Sequence, residues 1–345
     1  MAPLSIEMPV ASTLPDFSPA LSVRNLRTYF ETPAGTIRAV DDVSFDLGRR
    51  DVLAIVGESG SGKSVTALSI MKLVPSPPGR YVSGSAMMDG TDLMALGPRE
   101  LVAMRGRKLA MIFQNPRAAL NPSFTIRNQL VETLRRHSRS LTIADAEQRI
   151  VATMRSVGFA DPLRVAASYP HQLSGGMCQR IGIALAFACN PEILIADEPT
   201  TALDVVVQAR ILHLLKRAHE ERQLPIIVIT HDFGMVRALA NRVIVMYAGR
   251  IQEVGDVDQV LERPMHPYTK ALIASVPDPE RATKRFFQVR GQPPDLLRLP
   301  RGCKFADRCD LAMDICRRTE PPLAIATDGS GVRCHLYPAV PAGAA

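Results

Sequence analysis

The sequence predicts an α/β fold in which helices cover both faces of a parallel sheet. Four short apolar runs, each the length of a buried strand, alternate with segments of helical periodicity. The runs are VLAIVG at 52–57, LAMIF at 109–113, EILIAD at 192–197 and PIIVIT at 225–230. Strands without a polar face that alternate with helices are typical of parallel sheets, so these runs mark the core of the fold.

Antiparallel strands are predicted before and after this sheet. Apolar and polar residues alternate over 21–30 and 36–47, with the turn ETPAG between them, which predicts an N-terminal antiparallel β subdomain. The segment 242–255 predicts a closing hairpin. After the first apolar run, a glycine-rich loop leads into a predicted helix from Ser64 to about Val74.

The remaining regions differ in character from the sheet. Residues of about 115–180 predict a helical subdomain inserted in the α/β core, and 1–20 predict a disordered leader without a signal peptide. The main domain therefore spans 21–263. From 264 to 345 proline is frequent and periodicity fades, which predicts a separate small appendage with an extended linker over 281–300.

Composition narrows the classes of function. Of the 345 residues, 46% are apolar and 22% are charged, as in ordinary globular proteins, and no apolar run approaches the 18 residues of a spanning helix. The net charge is +7, and much of the excess lies in 281–318. Without tryptophan or alternating basic and aromatic residues, this segment favours a solvated or lipid-facing surface, and we expect no nucleic-acid partner.

A phosphate-binding loop follows the first predicted strand. The string GESGSGKS fits GxxxxGK[ST], and it stands between a strand and a helix as this motif requires. Glycines allow backbone N–H groups to converge on an anion, and the helix start adds its positive dipole end. We assign ATP binding to the whole loop and leave out the next residue, Val65. The loop consists of Gly57, Glu58, Ser59, Gly60, Ser61, Gly62, Lys63 and Ser64.

Two acidic residues end the third apolar run. Asp197 lies at the carboxyl end of a predicted strand, where α/β proteins bind ligands, and we expect it to hold Mg²⁺ together with the hydroxyl of Ser64. Glu198 comes next and is placed to polarise the attacking water as a general base. Combined with the phosphate loop, this pair predicts hydrolysis of a nucleoside triphosphate.

A second glycine-lined helix start identifies the resemblance. The string LSGGMCQR at 173–180 resembles the signature motif of the ABC ATPases. The resemblance implies that two cassettes pair head to tail, and that Ser174, Gly175 and Gly176 of one close over the γ-phosphate held by the other. The residue after this motif's methionine is Cys178, where members of the subfamily often carry Arg.

The resemblance assigns further residues over roughly 20–260. Gln114 is similar to the Q-loop glutamine, which senses Mg²⁺ and the attacking water. His231 is similar to the switch histidine that contacts the γ-phosphate, and Ala202, Leu203 and Asp204 resemble the D-loop. Phe30, or its neighbour Tyr29, is implied to stack on adenine, and the sequence does not decide between them.

Four strings resemble segments of the ATPases of oligopeptide and dipeptide permeases. They are VGESGSGKS, FQNPRAALNP, YPHQLSGGM and HPYTKAL. The resemblance implies a motor subunit at the cytoplasmic face of the inner membrane. Its partners would be two permease subunits, a second ATPase that is identical or paralogous, and indirectly a solute-binding protein. Importers of nickel and glutathione share many of these strings, so the substrate stays open.

Four cysteines lie near the C-terminal end, with gaps of five, six and seventeen residues between them. This spacing lacks the paired C-x₂-C of zinc ribbons, and a reducing cytosol disfavours disulfides. By resemblance to the peptide-permease ATPases, a 4Fe-4S cluster is our first expectation, with zinc or no metal as alternatives. These cysteines are Cys303, Cys309, Cys316 and Cys334.

Two other functions compete with the importer motor. A soluble ABC protein of ribosomes usually carries two cassettes in one chain, and one of DNA repair has long coiled coils between the two motifs. Here there is one cassette, and 111 positions separate Lys63 from Ser174. Exporter cassettes are often fused to spanning helices and lack the HPYT-and-cysteine tail. The importer is therefore favoured.

Overall fold

Two β-sheets organise the chain in the computed structural model, which describes residues 18–138, 140–201, 203–276, 289–326 and 328–337. Within these ranges the strands are β1 (Leu21–Thr32), β2 (Gly35–Leu47), β3 (Val52–Val56), β4 (Gly79–Met88), β5 (Thr91–Asp92), β6 (Leu109–Ile112), β7 (Ile193–Asp197), β8 (Ile226–Ile229), β9 (Arg242–Tyr247), β10 (Arg250–Asp256), β11 (Ala324–Ile325) and β12 (Gly331–Val332).

The α-helices of the described residues cover the faces of these sheets or form the inserted subdomain. They are α1 (Lys63–Ile70), α2 (Pro98–Met104), α3 (Pro116–Ala119), α4 (Ile126–His137), α5 (Ile143–Ser156), α6 (Pro162–Ala166), α7 (Gly175–Ala188), α8 (Val205–Arg222), α9 (Phe233–Leu239), α10 (Val257–Glu262), α11 (Pro267–Ala274) and α12 (Asp314–Arg318).

The larger sheet confirms the predicted α/β fold. Its central strands run parallel in the order β9-β3-β8-β7-β6, and every residue of β3, β6, β7 and β8 is buried. These are the four continuous apolar runs, which need no polar face because helices cover both sides of the sheet. Their carboxyl ends lie along one edge, where the loops after β3 and β7 can form a common site.

The smaller sheet is antiparallel, in the order β2-β1-β4-β5. Strands β1 and β2 match the predicted N-terminal subdomain, while β4, which pairs with the other side of β1, was not assigned from the sequence. The helix that we expected to reach about Val74 ends at Ile70, because Lys72 adopts a left-handed backbone with φ of 49°.

The inserted subdomain is helical, with α4 and α5 packed on α7. Apolar residues repeat every four positions on α4, at Ile126, Leu130 and Leu134, and all three are buried. The Thr125 hydroxyl accepts a hydrogen bond from the N–H of Asn128 and so caps the helix. This packing orients the start of α7, which carries the second glycine motif.

The C-terminal segment, which the sequence predicts as a separate small appendage from 264, contributes a short strand to the larger sheet. Strand β12 pairs with β10 and extends the larger sheet, with Val332 opposite Glu253. The N–H of Arg333 donates to the carbonyl of Gln252 at 2.8 Å. Two-residue strands carry no periodicity, so this pairing could not be predicted from the sequence.

Parts of two other predictions lie outside the described residues, namely 1–17 of the leader and 281–288 of the linker. The leader's last residue, Ala20, is 4% exposed and donates a backbone hydrogen bond to Leu47 at 2.8 Å. Residue 20 therefore belongs to the small sheet and not to the leader.

Candidate active site

The loop between β3 and α1 brings its backbone against neighbouring strands. Gly57 and Gly62 have φ of 150° and 102°, and a Cβ on either would collide with a carbonyl oxygen, of Met246 and Ala39 respectively. Only glycine fits both the space and the backbone conformation. The loop is thus a concave turn with N–H groups at its surface, leading directly into the helix.

Helix α1 begins at Lys63 without a side-chain cap, since its N-cap residue is Gly62. Uncapped N–H groups at a helix start favour an anion. The Lys63 ammonium lies inside the loop and donates to the carbonyls of Gly57 at 2.8 Å and Glu58 at 2.9 Å. Burial lowers the pKa of Lys63, although the carboxylates of Glu198 and Asp197 oppose this effect.

Asp197 ends β7 beside the start of α1. The Ser64 hydroxyl donates to its carboxylate at 3.1 Å, so two of the three predicted Mg²⁺ ligands, of which Gln114 is the third, are brought together. Asp197 is 3% exposed, and burial raises its pKa, with the charge of Glu198 acting in the same direction and the bond from Ser64 against it. Its contact with Ser64, the last residue of the phosphate loop, suits a hard divalent cation bound to a phosphate chain.

Glu198 has a left-handed backbone, with φ of 46°. This conformation is strained for a residue with a side chain, and it is held by the hydrogen bond from its N–H to the carbonyl of Ile229 at 2.9 Å. The turn directs the carboxylate away from β7 and Asp197. Strain of this kind is common where a side chain has to be aimed at a reactant.

Three polar side chains surround the Glu198 carboxylate. Gln114 donates an amide N–H at 3.1 Å, Thr201 donates its hydroxyl at 2.9 Å, and Nδ1 of His231 lies at 3.4 Å. Burial acts to raise the pKa of Glu198, but the bonds from Thr201 and Gln114 and the nearby His231 outweigh it, and the pKa is lowered. The group is therefore ionised at neutral pH, as a general base requires.

Thr201 was not assigned from the sequence, although it follows Glu198 by only three residues. A lone threonine in a loop carries no signal of its own, and the contact depends on the tight turn in which the N–H of Thr201 donates to the Glu198 carbonyl at 3.2 Å. The only feature of the sequence that pointed to this contact was a short polar residue close after two adjacent acidic residues.

The second glycine motif lies apart from this cluster. The Ser174 hydroxyl caps α7 by accepting from the N–H of Met177 at 3.2 Å, and a Cβ on Gly175 would meet no atom within 4 Å. Among the described residues, Ser174, Gly175 and Gly176 form no hydrogen bond with the phosphate loop. Ser174 and Gly175 are exposed, so the motif is an open helix start.

The predicted D-loop caps another helix. Asp204 is the N-cap of α8, and its carboxylate accepts from the N–H of Val207 at 2.9 Å. Leu203 donates its N–H to Thr200 at 3.2 Å, and Ala202 lies outside the described residues.

The two candidate aromatic residues have different surroundings. The Tyr29 hydroxyl donates to the Asp41 carboxylate at 2.7 Å, and Asp41 also accepts from Arg250. The ring of Phe30 lies close to Gly79 at the start of β4. Neither ring is fully buried, so each retains area for a partner.

The four C-terminal cysteines line one small cavity, together with Phe305 and Leu311. Burial raises the pKa of Cys303 to about 11, and the nearby thiols of the other three cysteines add to this effect. Within the described ranges, no three His, Cys, Asp or Glu side chains are arranged around a single metal ion. The other two cysteines are free: Cys178 is buried, as expected, and Cys189 is half-buried.

No helix in the described part of the chain has both the length and the apolar character needed to cross a bilayer. Residues 40–201 match the ABC transporter family, and residues 252–316 match the C-terminal region of oligopeptide/dipeptide transporters.

Relatives of nearly the same length are similar along almost the whole chain. The oligopeptide transport ATP-binding protein AppD of Bacillus subtilis is 44% identical over 93% of this chain and 97% of its own length. The dipeptide transport ATP-binding protein DppD of the same organism is 46% identical, over 92% and 94% respectively.

A solved structure is similar to the larger part of the fold. The ATP-binding cassette MJ0796, in a dimeric post-hydrolysis state bound to ADP and Pi, superposes with a TM-score of 0.63 at 28% identity. The match covers 69% of this chain and 98% of that one.

Proposed function

Because the chain belongs to the ATP-binding proteins of ABC transporters, in the oligopeptide/dipeptide group, we propose that its hydrolysis of ATP drives peptide uptake across the inner membrane. The convergence of Lys63, Ser64 and Asp197 with Glu198 at the carboxyl edge of the parallel sheet carries this proposal. The same edge binds the ligand in other α/β proteins.

The chain's own groups divide the work of hydrolysis. The loop N–H groups and Lys63 bind the β- and γ-phosphates, and Glu198 accepts the proton of the attacking water, oriented by Gln114 and His231. Ser64 and Asp197, with Gln114, would hold Mg²⁺, which neutralises charge on the phosphates. Because the pKa of Glu198 is lowered, this base stays ionised throughout the physiological pH range.

Ser174, Gly175 and Gly176 act on the nucleotide of a second cassette. The open start of α7 presents N–H groups and a hydroxyl with no phosphate of its own chain to bind, which supports a head-to-tail pair. Asp204 and its D-loop lie on the chain between Glu198 and α8, where they can report the state of one site to the other.

For the adenine, we favour Phe30 over Tyr29. The Tyr29 hydroxyl is committed to Asp41 within the small sheet, and Arg38 lies over its ring at 5.8 Å from the centroid. Phe30 carries no such contacts, so its ring is free to stack on a purine.

The partners are two permease subunits, a second ATPase that is identical or paralogous, and a solute-binding protein on the far side of the membrane. The chain acts as a peripheral subunit at the cytoplasmic face. Uptake of labelled dipeptide and oligopeptide by cells that lack this chain tests the substrate, with labelled nickel and glutathione measured in parallel. Restored peptide uptake with the intact chain supports the proposal, whereas restored uptake of nickel or glutathione alone would replace it.

The four cysteines are proposed to hold a 4Fe-4S cluster. All four cysteines line one small cavity, and a cluster spreads its ligands farther apart than the roughly 3.8 Å between sulfurs around one zinc ion. Buried thiols of raised pKa stay neutral without a cation, and bound iron supplies the positive charge that stabilises thiolates.

Iron and acid-labile sulfide in anaerobically purified protein check this proposal. We expect about four of each per chain, lost in Cys334→Ser and retained in the matched variant Cys189→Ser, whose thiol lies beneath the helical subdomain. Protein that contains neither iron nor sulfide would contradict the cluster, and zinc in their place would identify the metal instead.

A further inference from the structure

Glu58, the second residue of the phosphate loop, is held by the C-terminal part of the chain. Its backbone N–H donates to the hydroxyl of Tyr268 on α11 at 2.8 Å. Its carboxylate accepts two bonds from Arg308, from Nη1 at 2.7 Å and Nη2 at 2.9 Å. Such a two-pronged arginine–carboxylate pair fixes orientation as well as distance. One side of the ATP loop is thus built by residues more than 200 positions away.

Among the described residues, Glu58 is the one carboxylate paired with Arg308. The Arg308 side chain is 6% exposed, and its other bonds go to neutral groups, including the Tyr247 hydroxyl at 3.1 Å and the carbonyl of Arg290 at 2.7 Å. Burial acts to lower the pKa of Arg308, but Glu58 and Tyr247 raise it further, so the group stays charged. A buried cation without its carboxylate would be costly, so the pair holds together.

Arg308 lies in the chain between Ala306 and Cys309, which both line the cysteine cavity. It ends the short turn Ala306–Arg308, and the next residue is Cys309, whose N–H donates to Ala306 at 3.3 Å. The N–H of Cys303, just before the turn, donates to the carbonyl of Cys316 at 2.8 Å. Because Cys309 directly follows Arg308 in this hydrogen-bonded turn, a rearrangement that shifts the Cys309 backbone also shifts that of Arg308.

We propose that Arg308 is a positioning residue that couples the four-cysteine segment to ATP binding through Glu58. With the pair intact, the Glu58 carboxylate is neutralised beside a loop that must receive a polyanionic triphosphate. A rearrangement at the cysteines that withdraws Arg308 leaves this negative charge uncompensated and weakens ATP binding. Linkage makes the effect reciprocal, so bound ATP favours the cysteine arrangement that keeps the pair. The inference rests on the ATP site proposed above.

Removing the charge of Arg308 tests the first link of the coupling, from Arg308 through Glu58 to ATP binding. We expect Arg308→Gln to raise the Kd for ATP about tenfold, since Glu58 then repels the phosphates. The double variant Arg308→Gln/Glu58→Gln, which also removes the uncompensated carboxylate, should bind ATP at least threefold more tightly than Arg308→Gln alone. If Arg308 had only a structural role, removing the Glu58 carboxylate as well would not restore the affinity for ATP. Arg317→Gln, which breaks only the exposed pair with Asp307, is the matched control and should bind ATP normally.

A substitution at Cys334 tests the second link of the coupling, from the four-cysteine segment to Arg308. Cys334 lines the same cavity but lies far from Arg308 along the chain. We expect Cys334→Ser to change the Kd for ATP at least threefold in the otherwise unaltered protein, and not at all in the Arg308→Gln/Glu58→Gln background. Melting temperatures accompany each measurement, and Arg308→Met, which removes the charge but keeps a long unbranched side chain, replaces Arg308→Gln with the same expected results if that variant does not fold.

The outcomes separate this inference from the proposed function. Unaltered protein that binds ATP while Arg308→Gln binds it equally tightly would overturn the inference and leave the ATPase intact. An equal effect of Cys334→Ser in both backgrounds would also overturn it. Failure of the unaltered protein to bind ATP would instead overturn the proposed function.

Discussion

Glu198→Gln is expected to lower the steady-state rate of ATP hydrolysis by about 10²- to 10⁴-fold, the range attributed to a general base. Glutamine has nearly the same shape and can keep the contacts that Gln114 and Thr201 make with the carboxylate, but it cannot accept a proton from water. ATP should therefore bind with unchanged affinity, and an ATP-bound pair of cassettes should accumulate because the step that separates them is blocked.

The matched control for this variant is Glu192→Gln. Glu192 directly precedes the other end of β7, where it pairs with Lys108 on the surface, so it tests a carboxylate beside the same strand but away from the edge that carries the site. Phosphate release by the assembled transporter and retention of labelled nucleotide are the two measurements. Hydrolysis within threefold of the unaltered rate in Glu198→Gln would assign the general base elsewhere.

Lys63→Ala is expected to raise the Kd for ATP about 100-fold, roughly 2.7 kcal/mol. Lys63 is the side-chain cation placed inside the phosphate loop, and its ammonium can transfer from the loop carbonyls to the phosphate oxygens. Burial lowers the pKa of this group, so its charge contributes little to the fold, and the free energy of unfolding should change little.

Lys72→Ala is the matched control for Lys63→Ala, because it removes a lysine that does not belong to the phosphate loop. Lys72 lies just beyond the other end of α1 and donates to the carbonyls of Met94 and Leu96, so its removal can destabilise the fold without reaching the phosphates. Titration with a fluorescent ATP analogue checks both variants. Nucleotide affinity that is unchanged in Lys63→Ala, or lost equally in Lys72→Ala, would contradict the assignment of the loop.

Local signals in the sequence were sufficient for the centre of the fold. Strand β3 occupies Val52–Val56, within the apolar run at 52–57, because a strand buried on both faces must be apolar throughout. The glycines before Lys63 and the acids after β7 are short motifs in fixed positions relative to strands. Once the strands are parallel and adjacent, their carboxyl ends bring Ser64 and Asp197 together.

Contacts between distant positions were not predictable in this way. Arg308 and Glu58 are 250 residues apart, and nothing in either surrounding string indicates the other. The same holds for β12, which is two residues long and adds to a sheet formed by much earlier segments. Such pairings depend on how the C-terminal segment folds back onto the sheet. The periodicity of a single sequence predicts local helices and strands but not these long-range contacts.

The pairing of two cassettes around one nucleotide is tested most directly by Ser174→Ala in the transporter assembled with its membrane subunits and solute-binding protein. Ser174 lies exposed at the open start of α7 and, among the described residues, forms no hydrogen bond with the phosphate loop of its own chain. We predict that ATP hydrolysis in the assembly falls at least tenfold, while the isolated chain binds ATP as before. Unchanged turnover in the assembly, or weakened ATP binding by the isolated chain, would contradict a site completed by the opposite cassette.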